Sequence, residues 1–171
     1  MGLLRTAGPR RTLRRTAATA SAAAMFLGLA LLGGNPAEAA SWGHWVSVSK
    51  DKCLTVFSND VVNLAPCEAG RSDQLWDPEP IAGYDRIIRS AAGGCLWARP
   101  LAGSVYAYRG DCDTNDPAKV FVLFSASVAA RAQGAGRMTE TQAWGNQVVV
   151  FSTTVSINDP RSHWSYRPQS G

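Results

Sequence analysis

The stretch Asp73-Gln74-Leu75-Trp76 decides the fold, because two later segments of the chain repeat its pattern. Residues 115–121 and 158–164 both begin with Asn-Asp-Pro and end on an aromatic residue at the same spacing. These closing residues, Phe121 and Trp164, follow Trp76 at successive intervals of 45 and 43 positions. A repeat of this length is typical of folds in which several small units share one core. The sequence therefore predicts a threefold architecture.

Each unit contains short apolar runs separated by turn-forming residues. In the first unit these runs are residues 45–48, 53–57, 61–64 and 74–76, and the later units follow the same order. Such runs are typical of strands, and no window keeps an apolar stripe at helical spacing. One four-strand unit cannot bury a stable core alone. We expect a single all-β domain at 40–171, with module one at about 41–82, module two at 83–125 and module three at 126–168.

Large residues fall at equivalent places in the three modules, which indicates equivalent core positions. The predicted core markers are Leu54, Leu96 and Met138 at one place and Gln74, Trp76, Phe121 and Trp164 around the closing pattern.

The order of these motifs resembles the ricin-type β-trefoil lectin family, whose repeat reads Gly-x-Cys-Leu-x-Val, Val-x-Leu-x-x-Cys and Gln-x-Trp. Module one matches it with Cys53-Leu54-Thr55-Val56, Val62-Asn63-Leu64-Ala65-Pro66-Cys67 and Gln74-Leu75-Trp76. The later modules are degenerate copies that keep Gly94-Cys95-Leu96, Cys112, Gly136, Met138 and Trp164, with Lys119-Val120-Phe121 in place of Gln-x-Trp. The resemblance implies a β-trefoil of three four-strand modules.

The chain contains four cysteines, Cys53, Cys67, Cys95 and Cys112. Three pairings are possible, and unpaired thiols are the alternative. Their spacing within the modules favours one disulfide in module one, Cys53 with Cys67, and one in module two, Cys95 with Cys112. Each of these disulfides closes a short loop and, from the loss of loop entropy in the unfolded chain, would contribute about 3 kcal/mol to the stability of the fold.

The amino terminus has the pattern of a secretory signal peptide. Five arginines precede an apolar run at residues 17–32, and small residues stand at Ala37 and Ala39. We expect cleavage after Ala39, a leader of residues 1–39 and a secreted, extracellular product. A retained membrane anchor is the alternative, but the run is shorter than the roughly 20 residues that a span requires. The pair Arg10-Arg11 leaves both the general and the twin-arginine export routes open.

Removal of this leader changes the charge balance. The chain has 17 basic and 13 acidic residues, and the leader contains five arginines and one glutamate, so 12 of each sign remain. The mature chain is formally neutral, and its composition does not support a nucleic-acid or anionic-membrane partner. We expect neither a nucleic-acid partner nor a membrane span in the mature chain.

The resemblance implies one shallow sugar site in each module, made from an acid after Cys-Leu, an aromatic ring before the second cysteine and an Asn before Gln-x-Trp. The acid positions hold Thr55, Trp97 and Thr139; the ring positions hold Ala65, Tyr106 or Tyr108, and Phe151; the Asn positions hold Asp73, Ala118 and Arg161. No module has all three groups. The missing carboxylates remove the strongest acceptors for sugar hydroxyls.

Module two offers the best candidate ligand site, which consists of Trp97, Arg99, Tyr106, Tyr108 and Asp111. Aromatic rings together with a cation and an anion could bind either a sugar or a protein side chain. Strand alternation places both tyrosines on one face, and either face could be the buried one. Two roles are also open for the residues Trp42, His44 and Trp45. They could close the barrel, which we favour, or form an exposed arm.

Catalytic motifs are absent from the sequence. His44 and His163 lie in no nucleophile or zinc motif, and the cysteine spacing does not suit a zinc site. We expect no enzyme activity, no cofactor and no metal. The predicted function is a secreted binding module for a glycan or a secreted protein. The alternatives are an adaptor or targeting subunit of a toxin-like or enzyme complex without sugar binding and, with less support, a protease inhibitor.

Overall fold

The computed structural model describes residues 41–132, 136–143 and 146–169. The expected leader, residues 1–39, lies outside the described residues. Twelve strands follow one another in three groups of four. They are β1 (Gly43–Ser47), β2 (Lys52–Val56), β3 (Val62–Ala65), β4 (Trp76–Ala82), β5 (Asp85–Ser90), β6 (Cys95–Leu101), β7 (Ser104–Gly110), β8 (Val120–Phe124), β9 (Ser127–Ala130), β10 (Arg137–Ala143), β11 (Asn146–Ser152) and β12 (Trp164–Pro168).

Six strands form a barrel, and the other six form three hairpins. The barrel strands pair in the order β12-β1-β4-β5-β8-β9. The two ends of this series meet where the Trp164 N–H donates to the Ala126 carbonyl at 2.8 Å. The hairpins β2-β3, β6-β7 and β10-β11 each belong to one module. The predicted all-β fold with three four-strand modules is confirmed.

The repeated large residues meet in one core. Trp76, Phe121 and Trp164 are buried, as are Leu54, Leu96 and Met138. Module one and module three use the same bond, since Trp76 Nε1 donates to the Leu54 carbonyl at 2.9 Å and Trp164 Nε1 donates to the Met138 carbonyl at 3.0 Å. Phe121 has no N–H to donate, and its ring packs 5.6 Å from that of Phe151. The repeat is therefore preserved in module two by packing alone.

The predicted fourth strand at residues 74–76 is wrong in its position. Gln74 ends a 3₁₀ turn, Ser72–Gln74, and the strand begins only at Trp76. At this turn the Gln74 side chain bonds within its own module: its oxygen accepts from Glu68 N at 2.8 Å and its amide donates to the Pro66 carbonyl at 2.8 Å. The turn itself is closed by the backbone N–H of Leu75, which donates to the Ser72 carbonyl.

Two disulfides staple the hairpins, as predicted. Cys53 pairs with Cys67 and Cys95 with Cys112, and no free cysteine remains. The absence of cysteines in module three leaves its β10-β11 hairpin without this link.

The amino-terminal tryptophans close the barrel. Trp45 is buried in β1 and its ring lies 5.0 Å from that of Tyr166 in β12. The single hydrogen of the Tyr166 hydroxyl has two acceptors within reach, the Trp76 carbonyl at 2.9 Å and the Ser41 carbonyl. Trp42 is half-buried, and its carbonyl accepts from Gln169 N at 2.8 Å. Within the described part of the chain, no helix is long and apolar enough to cross a membrane.

Candidate functional site

The β6-β7 hairpin brings most of the predicted site residues onto one face. Its register places Trp97 opposite Tyr108 and Arg99 opposite Tyr106. Alternation then turns the intervening Ala98 and Ala107 toward the core, where they are 1% and 0% exposed. The sequence did not decide which face of this hairpin is buried. The structure shows that the face with Tyr106 and Tyr108 is the outer one.

Arg99 lies over two rings of this face. Its guanidinium carbon is 5.3 Å from the centre of the Trp97 ring and 4.9 Å from that of Tyr108. Cation–π contacts at exposed positions are worth about 0.5–1 kcal/mol each. They hold the arginine against the aromatic surface, so the three side chains form a pre-ordered patch.

Lys119 also lies against the Trp97 ring. Its ammonium is 5.4 Å from the centre of the Trp97 ring, 2.5 Å from Asp111 and 3.7 Å from Asp116, and only 8% of its side chain is exposed. The hydrogen bond to Asp111 raises the pKa of Lys119 and lowers the pKa of Asp111, against the effect of burial. Asp111, 78% exposed, is the acceptor that faces solvent.

We call Trp97, Arg99, Tyr106, Tyr108, Asp111 and Lys119 the module-two face. Sequence reasoning found five of these residues and missed Lys119, which it treated only as a repeat marker. The repeat itself indicates that Lys119 is unusual, since this lysine stands where module one has the buried Gln74 and module three has the buried Ser162. A cation at a core-type position needs an acidic or aromatic partner nearby.

The register corrects the predicted ring position in modules two and three. Ala65 pairs with Cys53 in module one, and the equivalent partners are Gly110, opposite Cys95, and Ser152, opposite Arg137. The ring position therefore holds Ala, Gly and Ser, and not Tyr106, Tyr108 or Phe151. Phe151 is 3% exposed and belongs to the core.

Trp97 occupies the space that opens over Gly110. A Cβ atom built on Gly110 would come within 3.3 Å of Trp97 Cε3 and 3.7 Å of its Cβ. The indole thus reaches from the acid position across the ring position of the same module. In module two, the position where the resemblance implies a sugar-binding acid holds a tryptophan that is half-buried against its own hairpin.

In modules one and three, the side chains at the acid positions are buried and a ligand at the surface cannot reach them. Thr55 is fully buried, and its hydroxyl donates to the Cys53 carbonyl at 2.9 Å and accepts from Gln74 Nε2 at 3.1 Å. Thr139 is 2% exposed, so it offers nothing to a ligand at the surface. Neither module has an accessible acceptor at this position.

In modules one and three, the residues at the predicted Asn positions form ion pairs within their own turns. Asp73 binds Arg71 at 2.5 Å, and this hydrogen bond holds the pKa of Asp73 below its usual value. Arg161 binds Asp159 at 2.6 Å, which lowers the pKa of Asp159 to about 2. These side chains are committed to local turns.

The two histidines lie in separate elements of the chain. His163 Nε2 lies 2.6 Å from the Ile157 carbonyl, and His44 is half-buried in β1. In the described ranges, no three His, Cys, Asp or Glu side chains gather as a metal site.

Comparison with solved structures agrees with the fold of three four-strand modules. No protein-family model matches the sequence, and no curated protein matches it. The structure is similar to the C-terminal half of an earthworm R-type lectin in complex with GalNAc, with 12% identity, a TM-score of 0.60, and coverage of 75% of this chain and 99% of that one. The fold is a β-trefoil.

Two further structures share the β-trefoil arrangement. The designed threefold-symmetric protein ThreeFoil has 14% identity and a TM-score of 0.59 over 74% of this chain and 97% of its own. A chain of the cytolethal distending toxin from Actinobacillus actinomycetemcomitans has 16% identity and a TM-score of 0.61 over 75% of this chain and 91% of that one. At these identities the likeness shows a ricin-B-like fold, and it does not assign a ligand.

Proposed function

We propose that this chain is a secreted, non-catalytic β-trefoil binding module that docks on a protein partner through the module-two face. The observation that carries the proposal is the placement of Trp97 over Gly110 with Arg99 and Lys119 against its ring. Trp, Tyr and Arg are the residues that contribute most of the binding energy in protein interfaces. A pre-ordered cluster of them costs little conformational entropy when a partner binds.

The chemistry of the face favours a protein over a sugar. A sugar that stacks on an aromatic ring needs an open ring face, and Arg99 and Lys119 already lie against the ring of Trp97. The exposed Asp111 and Arg99 offer both charge signs at the edge, as the polar rim of an interface does. A glycan remains the second candidate, supported by Asp111 as an acceptor beside aromatic rings, and the experiment below separates the two.

Export supports a partner outside the cytoplasm. The two disulfides of the domain suit an oxidising compartment. We infer that the leader of residues 1–39 is removed, and the amino-terminal sequence of the exported protein, expected to begin at Ala40, checks this point directly.

The test is affinity capture from the medium into which the protein is exported. We expect the wild-type chain to retain a protein, and the double variant Trp97→Ser/Arg99→Ser to lose it. Ile157→Ser is the matched control, because Ile157 is 47% exposed and lies in module three. Equal retention by all three chains, or saturable binding on a glycan array that the double variant loses, would remove the proposal.

A further inference from the structure

Module three contains a buried carboxylate at a position where the other modules are apolar. Glu140 stands three residues after Arg137 in β10, as Val56 does after Cys53 and Ala98 after Cys95. Glu140 is 2% exposed, close to Val56 at 6% and Ala98 at 1%. The module-two face does not use this residue. A charged side chain at a core position requires compensation.

The compensation within the protein is incomplete. Glu140 Oε1 accepts hydrogen bonds from the Ser47 and Ser49 hydroxyls, and Oε2 accepts from Gln147 Nε2. All three donors are neutral, and none of the close ion pairs among the described residues includes Glu140. Arg161 interacts with Glu140 electrostatically at longer range, but its close partner is Asp159. A carboxylate has about four acceptor positions, so Oε2 retains one.

This carboxylate borders a cavity with cations at its outer part. The cavity has a volume of about 340 Å³ and is lined by Lys50, Glu140, Thr141, Gln142, Gln147 and Arg161. Glu140 is buried, whereas Lys50 and Arg161 are exposed. Arg161 is paired with Asp159, and Lys50 forms no ion pair among the described residues. The cavity is therefore negative at its inner end and positive at its outer end.

We propose that this cavity binds a small zwitterion, with a primary ammonium group against Glu140 and a carboxylate against Lys50. The ammonium group supplies the missing cation and uses the free acceptor position on Oε2, while the Gln142 and Gln147 amides and the Thr141 hydroxyl offer further polar contacts. Free α-amino acids are the simplest molecules of this class. A neutral ligand would leave the buried carboxylate without a cation in direct contact, and an anion alone would be repelled at the inner end.

Three related probes separate the contributions of the two charges. Glycine carries both groups, N-acetylglycine lacks the ammonium, and glycinamide lacks the carboxylate. Titration of the isotope-labelled protein, followed by NMR at the Gln147 side-chain amide, should show saturable shifts with glycine. N-acetylglycine and glycinamide should each bind at least about tenfold more weakly, which corresponds to ~1.4 kcal/mol. Methyl glucoside tests for a carbohydrate in the same cavity.

Variants assign the effects to residues. Glu140→Gln should weaken glycine binding at least about tenfold, and Lys50→Gln should remove the preference for glycine over glycinamide. Lys50 is exposed, so its variant keeps the test decisive even where Glu140→Gln fails to fold. The proposal is overturned by the absence of saturable shifts with glycine, by equal binding of N-acetylglycine, by an unchanged preference in Lys50→Gln, or by binding of methyl glucoside alone. These outcomes are independent of the partner captured by the module-two face.

Discussion

Trp97 covers Gly110, its diagonal neighbour across the β6-β7 hairpin, so closely that an added Cβ atom would lie 3.3 Å from the indole. The glycine is therefore part of the module-two face, although it has no side chain of its own. Its backbone sets how near the tryptophan can lie to the hairpin, and Arg99 and Lys119 then settle against the same ring.

Gly110→Ala should displace the Trp97 ring while leaving the fold intact. The neighbour must yield by a few tenths of an ångström, and an indole at the surface can do so at a cost of about 1 kcal/mol or less. The indole N–H resonance of Trp97 should shift in an NMR spectrum, and partner binding should weaken. Ser104→Ala, an exposed change on the same hairpin, is the control. An unchanged resonance would show that Trp97 does not depend on Gly110.

Gln74→Leu should destabilise the domain by about 2–4 kcal/mol, because one buried and two partly buried hydrogen-bonding groups lose their partner. These groups are Glu68 N, the Pro66 carbonyl and the Thr55 hydroxyl. Urea unfolding measures the change, and Gln142→Leu, at an exposed position in β10, is the comparison. Similar small costs in both variants would contradict the assignment of Gln74 to the core.

The sequence predicted the threefold fold because Trp76, Phe121 and Trp164 recur at nearly constant intervals, and large buried residues at such intervals must share a core. It placed the fourth strand too early, because an apolar run does not reveal that the side chain of Gln74 bonds within its own module. The two disulfides were predicted from spacing within the modules.

The site was only partly predictable from the same residues. Alternation brought Trp97, Arg99 and the tyrosines together, but the ring position was assigned to the tyrosines without knowledge of the register that selects Gly110. Glu140 gave no signal as a site residue, because its burial depends on Ser47 and Ser49, which are distant in sequence and approach only in the closed barrel.

Tyr166 should ionise with a pKa of about 12, raised from its ordinary value of 10.0 mainly by burial. The neutral hydroxyl donates to the Trp76 carbonyl, so its contribution to stability is complete below pH 10 and declines as the pH rises from 10 toward 12. Tyrosinate absorbance, compared with Tyr166→Phe, measures this ionisation. The loss of a component that titrates near pH 10 in the variant would contradict the prediction.

Each disulfide should contribute about 3 kcal/mol to the free energy of unfolding, since the loops are short and similar in length. The sequence separations are 14 for Cys53–Cys67 and 17 for Cys95–Cys112. Paired Cys→Ser variants, unfolded in urea, should therefore lose similar amounts. A variant of the second pair that keeps wild-type stability would show that the module-two hairpin does not need its link.

The most direct test of the module-two face is the affinity of the purified captured protein for three forms of this chain, measured by calorimetry. The account predicts that wild type and Ile157→Ser bind equally and that Trp97→Ser/Arg99→Ser binds at least about a hundredfold more weakly, a loss of ~2.7 kcal/mol. Equal affinity of all three forms would contradict it.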